Sequence, residues 1–324
     1  MKALLQHAYG TPDVLELGDI DAPIPGEGEV LVRVRAASLN AADWLIMTGR
    51  PYIARLAFGI SRPKHPVRGR DVAGTVEAIG AGVTRVAIGD AVFGECATGS
   101  LAEFAVVKVS SLAAAPTRLD PEHWAATPIA GSTALQAFTE AVTVTAGQRV
   151  LVNGASGGVG TFAVQIAASL GADVTAVCSA RNADQAASLG ASRVIDYATA
   201  DFTAEDARYD VVLDIVGNHS LRALRRTLTP GGALLLSSGN GSALLGPIGR
   251  LLRGTIYGLF VKERIIGLVG STTPERLGRL AALIDSGAVT PRIEATFPLA
   301  EAATAVRRFG AEHARSKIVV TVPK

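Results

Sequence analysis

The sequence predicts an α/β protein in two parts, a compact strand-rich barrel and a doubly wound parallel sheet. Three observations carry this. Residues 149–160 read Arg-Val-Leu-Val-Asn-Gly-Ala-Ser-Gly-Gly-Val-Gly. This is an apolar strand closing on a glycine-dense turn, the arrangement that presents backbone N–H groups and a helix N-terminus to a pyrophosphate. From about 149 to 290, strand-like and helix-like stretches alternate, which favours a parallel sheet. Before about residue 120, short strands recur between glycine turns, which favours a small barrel.

Val30 to Arg35 alternates apolar with basic residues, the period of a half-buried strand. Ala73 to Gly80, Asp90 to Gly94 and Ala102 to Val109 are further short runs. Pro116 to Pro121 reads as a linker, and His123 to Thr143 is helical in composition. The predicted strands of the second part are 149–153, 173–178, 193–196, 209–214, 233–237 and 265–270, with helices at 161–170 and 184–189. An amphipathic helix, Leu299 to Phe309, and a strand, Lys317 to Val322, follow and return the chain to the first part. The domains expected are thus 1–122 with 291–324, and 123–290.

At 324 residues, 48% hydrophobic and 19% charged, the chain has the composition of a large buried core and not of disorder. A net charge of +2, with no basic run, gives no case for nucleic acid. Cys96 and Cys178 form neither a disulfide framework nor metal spacing, which suits a cytoplasmic protein. No apolar stretch of roughly 18 residues occurs. The nearest, Ala243 to Phe260, contains Arg250 and Arg253, so no membrane span is expected. The Gly241–Phe260 segment reads as an interface element, an apolar lid or, least favoured, a membrane-surface element.

Within the turn, each glycine has a reason. Gly154 leaves the strand in a conformation that side chains disfavour. Gly157 and Gly158 remove the Cβ where a phosphate approaches, and Gly160 lets the helix pack closely on the strand. With Ser156 and Val159, these residues are the candidate cofactor-binding turn. The bland alternative is a glycine turn with no ligand. After the second strand comes Cys178-Ser-Ala-Arg-Asn, without the acidic residue that an adenosine 2′-hydroxyl takes. A hydroxyl and a guanidinium suit a 2′-phosphate instead. Ser179 and Arg181 therefore point to NADPH. In the competing reading Arg181 is a solvated helix-start residue.

The chain resembles the medium-chain dehydrogenase/reductase superfamily, in its zinc-independent quinone oxidoreductase (zeta-crystallin-like) branch. The resemblance rests on Ser38-Leu-Asn-Ala-Ala-Asp, Gly69-Arg-Asp-Val-Ala-Gly, Gly80-Ala-Gly-Val, Gly89-Asp-Ala-Val-Phe-Gly, Gly131-Ser-Thr-Ala, the 153–160 turn and Arg315-Ser-Lys-Ile-Val-Val. It implies a GroES-like β-barrel domain plus a Rossmann domain. It also implies cofactor contacts at Thr133, Tyr197, Gly217, Ser237, Ser238 and Gly239. Tyr197 is otherwise core packing. Lys317 either reaches the cofactor or begins a strand. Relatives are often homodimers, and a homodimer is the expected assembly.

The zinc positions of that superfamily fall here on Asn40, Arg70 with its neighbour Asp71, and Ile129. The proton-relay hydroxyl position is Ala42, and the four-cysteine lobe is missing. Amide, guanidinium and alkyl groups are poor zinc donors, so no metal is expected. Arg70 and Asp71 read as an active pair or, by preference, a structural ion pair. Without a metal to polarise an isolated ketone, the acceptor must already be activated, as in a quinone or a C=C conjugated to a carbonyl. Asn40 and Tyr52 are the candidate catalytic donors, with surface packing the alternative for Tyr52. The expected activity is NADPH-dependent reduction of such an acceptor. The alternatives are a biosynthetic enoyl reductase, or an NADPH-binding sensor or assembly protein.

Overall fold

The computed structural model describes residues 1–237, 242–311 and 315–323. In chain order the strands are β1 (Lys2–Gln6), β2 (Leu15–Asp19), β3 (Glu29–Ser38), β4 (Asp71–Ile79), β5 (Ala91–Glu95), β6 (Phe104–Lys108), β7 (Leu112–Ala114), β8 (Arg149–Asn153), β9 (Asp173–Cys178), β10 (Arg193–Asp196), β11 (Tyr209–Asp214), β12 (Leu228–Leu236), β13 (Arg264–Gly267), β14 (Ile293–Pro298) and β15 (Lys317–Thr321). The helices are α1 (Ala41–Thr48), α2 (Arg55–Phe58), α3 (Pro121–Ala125), α4 (Pro128–Gln136), α5 (Gly158–Ser169), α6 (Ala183–Ser188), α7 (Leu221–Arg226), α8 (Pro247–Gly258), α9 (Pro274–Asp285) and α10 (Ala302–Ala311).

Two compact units form, Met1–Ser132 with Ser271–Lys324, and Thr133–Gly270. These limits fall inside the 123 and 290 read from the sequence. Helix α9 belongs to the first unit, where Leu277 packs in a cluster with Phe93 and Val319.

The second unit is a six-stranded sheet in the order β10-β9-β8-β11-β12-β13, every pairing parallel. That is the doubly wound order with its switch point between β8 and β11. Strands β8 and β9 are buried along all but their first residues, as the near-continuous apolar runs require. Leu151, Val177, Ile195, Phe202, Val212 and Leu234 pack in one core cluster.

The first unit has a seven-stranded sheet along β14-β15-β3-β4-β5-β7, with β6 also pairing β3. Its core draws on both chain segments, Val30, Val32 and Val72 packing with Leu299, Ala302 and Ile318. Strand β15 is interior, parallel to β14 on one side and antiparallel to β3 on the other.

Several elements differ from the sequence reading. The His123–Thr143 stretch breaks into α3, α4 and a wider turn at Ala137–Ala141, because Pro128 has no N–H to continue α3. Helix α5 starts at Gly158, inside the glycine turn. Strand β12 begins five residues early, because Leu228 already pairs Tyr209 ahead of a register shift. Strand β13 ends at Gly267, short of residue 270. Strand β14 was not anticipated. Within the apolar 241–260 segment, α8 turns Arg250 and Gly254 inward and leaves Leu252 and Ile256 exposed.

Candidate active site

In the second unit, parallel strands place their carboxyl ends along one rim of the sheet, where such folds bind ligands. Gly154 follows β8 with φ +93°, and its N–H and that of Ala155 donate to Val177 O at the end of β9. Helix α5 begins at the N-cap Gly157 with no side-chain cap, whereas Asp120, Ser220 and Thr273 cap α3, α7 and α9. The first-turn N–H groups of α5, spanning Gly158, Val159 and Gly160, are left for a ligand. Ser156 is half-buried. A Cβ on Gly157 would meet nothing nearer than Gly154 O at 3.6 Å, so the space over the turn is open. A Cβ on Gly160 would lie 2.1 Å from Gly154 O. The close approach that Gly160 permits is thus to the turn itself, not to the strand.

Ser179 caps the short turn Ala180–Asn182, with Asn182 Nδ2 donating to its Oγ at 3.1 Å, and Arg181 is exposed. Tyr197 follows β10, its N–H donating to Cys178 O, with 59% of its surface exposed. That exposure rules out the core-packing reading, and the backbone bond sets Tyr197 next to the end of β9, from which the Ser179–Arg181 loop departs. One carboxylate is near. Asp196 pairs in register with Cys178, accepts the N–H of Ala198, and adds to the burial that raises the Cys178 thiol pKa.

Gly217 follows β11 at φ +75° and donates to Asp214 Oδ1 at 3.0 Å. Asp214, fully buried, also accepts from Asn153 Nδ2 at 2.8 Å and from Arg250 at 2.6 Å. The sequence reading passed over Asp214, the last residue of β11, and took Arg250 only as a charge in an apolar segment. Ser237 N–H donates to Asp214 O. Ser238 and Gly239 lie outside the described residues. Thr133 is buried on α4, and a Cβ on Gly270 would lie 2.6 Å from its hydroxyl.

In the first unit, strand register gathers a polar cluster. Ser38 at the end of β3 pairs with Asp71 at the start of β4. Strand β15 joins β3 with Val319 opposite Ser38, which brings Lys317 to the same end. Asn40 caps α1 just beyond β3. Asp71 Oδ2 accepts from Ser38 Oγ (2.8 Å), Asn40 Nδ2 (2.9 Å) and Lys317 Nζ (3.0 Å), and its Oδ1 accepts the N–H of Ile129 (3.0 Å). Lys317 Nζ also donates to Asn40 Oδ1 at 2.6 Å. A lysine only donates and a carboxylate only accepts, so these bonds fix the orientation of the amide. Its second N–H has no acceptor among the described residues. Lys317 begins a strand, and its ammonium is 2% exposed against Asn40 and Asp71.

Arg70 and Asp71 do not pair with each other. Arg70 bonds Glu95, and Asp71 bonds Lys317. Tyr52 stands apart from this cluster, 43% exposed, with its ring near the guanidinium groups of Arg55 and Arg50.

The positions that would hold zinc do not fit it. They offer an amide already bonded to an ammonium, a guanidinium and an alkyl chain, and no group of three His, Cys, Asp or Glu suited to a metal occurs among the described residues. The glycine turn and its rim do fit a dinucleotide.

Residues 26–117 match the alcohol dehydrogenase GroES-like domain, and residues 189–320 match the zinc-binding dehydrogenase family. The chain is 32% identical, over 99% of its length and 98% of the relative's, to the chloroplast envelope quinone oxidoreductase homolog of Arabidopsis thaliana. The chain belongs to the quinone oxidoreductase family of the medium-chain dehydrogenases/reductases. The quinone oxidoreductase from Coxiella burnetii superposes with a TM-score of 0.86 at 29% identity, covering 100% of this chain and 99% of that one. A mycobacterial protein solved in complex with NADPH gives 0.80 at 27% identity, covering 99% and 100%. The protein is thus an oxidoreductase of GroES-like plus Rossmann architecture that uses a nicotinamide cofactor. No helix among the described residues is long and apolar enough to cross a membrane.

Proposed function

We propose that the protein reduces a quinone or a conjugated enone with NADPH and without a metal ion. The observation that carries this reading is the Lys317–Asn40–Asp71 cluster, an ammonium bonded to the residue that stands at the first zinc-ligand position. When bound, the reduced nicotinamide supplies a hydride. The chain's own part is to hold, orient and exclude water. The N–H groups of Gly158, Val159 and Gly160 hold the pyrophosphate, with Gly154, Ser156 and Gly157 shaping the turn. Ser179 and Arg181 hold the 2′-phosphate beside Tyr197. Thr133, Gly217, Ser238 and Gly239 complete the set.

Asn40, its amide turned by Asp71 and Lys317, donates its remaining N–H to the oxygen of the acceptor, where negative charge develops. Tyr52 is the second candidate donor. In this reading Lys317 positions Asn40 and is not required as a cofactor contact. A homodimer in a reducing cytoplasm, where Cys96 and Cys178 remain free thiols, completes the proposal.

The experiment is NADPH oxidation against a panel of quinones and enones, with and without a chelator, alongside simple alcohols with NAD⁺. Chelator-insensitive turnover of the activated acceptors supports the reading. Saturable NADPH binding without turnover, or chelator-sensitive alcohol oxidation, overturns it.

A further inference from the structure

One buried acid beside Asn40 is used by nothing described so far. Asp43 is the third residue of α1, and its Oδ2 accepts the N–H of Asn40 at 2.8 Å. No described residue donates to its Oδ1. Asp43 also lines a small open cleft together with Ile46, Phe58, His65, Arg68 and Arg70. The walls combine apolar surface with a few convergent polar groups, the make-up of small-molecule sites.

The charges around Asp43 come from every side. Burial pushes its carboxyl up to about 6, and the neighbouring Asp71 adds to this. The Asn40 N–H, Arg70 and Lys317 pull the other way. Arg68 also faces it, bonded to His65 O, and burial holds His65 below its ordinary pKa.

Resting on the reading of an enone acceptor, we propose that Asp43 is the proton donor of the reaction, delivering the proton of its Oδ1–H into this pocket. Reduction of the conjugated C=C needs a hydride and a proton. The hydride, carrying two electrons from the reduced nicotinamide, forms the new C–H bond at the β-carbon as the C=C π bond breaks. Its electron pair moves into the enolate. The proton from Asp43 then forms the C–H bond at the α-carbon, leaving Asp43 a carboxylate that reloads from water. Asn40 holds the enolate oxygen meanwhile. The reactive oxygen of Asp43 is the one free of a hydrogen bond, and a carboxyl that stays partly protonated near neutral pH suits general-acid work.

Asp43→Asn keeps the acceptor for the Asn40 N–H and removes the proton. With an α-methyl enone in D₂O, the wild type places deuterium on one face of the α-carbon, and D43N places it on both. In the wild type, kcat falls as pH rises above about 6. In D43N it is flat and about 100-fold or more lower at pH 6, while NADPH affinity is unchanged. On the NADPH-free protein, infrared spectroscopy shows a protonated-carboxyl band in the wild type that titrates near pH 6 and is missing in D43N. Arg70→Met removes a charge that stabilises the Asp43 carboxylate, so the limb of the kcat profile moves to higher pH. Retained face selectivity and an unchanged pH limb in D43N, or a limb moving to lower pH in R70M, overturn the proposal alone. A wild type inactive toward every enone and quinone overturns the functional reading and this proposal with it.

Discussion

Replacing Lys317 with methionine tests the polar cluster at its least replaceable point. The ammonium is 2% exposed, and the Asp71 carboxylate it meets at 3.0 Å is fully buried. Removing one partner of a buried pair leaves an uncompensated charge and costs about 3–5 kcal/mol. Asp71 keeps the Ser38, Asn40 and Ile129 donors, which holds the cost toward the lower end. Asn40 Oδ1, however, loses its only described donor, a further penalty of about 1–3 kcal/mol. A loss of about 3–5 kcal/mol corresponds to a fall of roughly 6–20 °C in the unfolding temperature of a domain of this size. The assay is calorimetry with urea titration on the wild type, K317M, D71N and the double variant. Because each single change strands a buried group, the double variant should lose less than the sum of the two. A K317M protein within about 1 kcal/mol of the wild type would refute the claim that this pair organises the site.

Further outcomes follow from the same geometry. Arg181→Ala should reduce the preference for NADPH over NADH by roughly 10- to 150-fold, the worth of a charge-assisted hydrogen bond, as read from kcat/KM for each cofactor. Gly157→Ala has room for its methyl and should fold normally yet bind the dinucleotide poorly, whereas Gly160→Ala drives a methyl against the Gly154 carbonyl and should lose both stability and binding; thermal melts with fluorescence titration separate the two. The Asp43 pKa of about 6 in the folded chain lies above its ordinary 3.8, so its stabilising contribution is complete below about pH 4 and is lost as pH rises to about 6. D43N should therefore gain on the wild type by about 3 kcal/mol across that window and by nothing more above it, as pH-dependent melts will show. Arg250→Met strands the buried Asp214 carboxylate that orients Asn153 and Gly217, so it should cost about 3–5 kcal/mol and weaken dinucleotide binding in the same titration.

The parallel sheet was readable because its central strands are buried on both faces. Residues 149–153, 173–178 and 209–214 stand as largely apolar runs whose limits in the sequence are their limits in the structure, and the edge strand 193–196, Arg-Val-Ile-Asp, shares its limits with only Ile195 buried. Where burial weakens, so does the signal. Strand β14 is half-exposed along most of Ile293–Pro298, and although Ile293, Ala295 and Phe297 alternate with Glu294 and Thr296, the run is short and set between Pro291 and Pro298, which read as loop punctuation. The start of β12 hides in Thr229-Pro-Gly-Gly, which has the composition of a turn.

The glycine turn was legible because local backbone geometry alone builds it. The cluster in the first unit is not local. Lys317 meets Asn40 only through the pairing of β15 with β3, and no spacing rule reaches across that separation. Asp43 did leave a mark, since Asn40-x-x-Asp43 follows the pattern of a helix capping box. Arg250 left a misleading one. It read as a charge in an apolar segment, and the structure turns it inward to Asp214.

The placement of β15 bears on biosynthesis. The 133–270 unit leaves the ribosome as one uninterrupted stretch and can acquire its sheet early. The earlier-made β3 and β4 must wait for β15, which slots between β14 and β3 and delivers the lysine that neutralises Asp71. Until then a sheet edge and a carboxylate stay open to water, so a nascent chain halted after residue 270 should expose β3 to holdase chaperones or to edge-to-edge pairing.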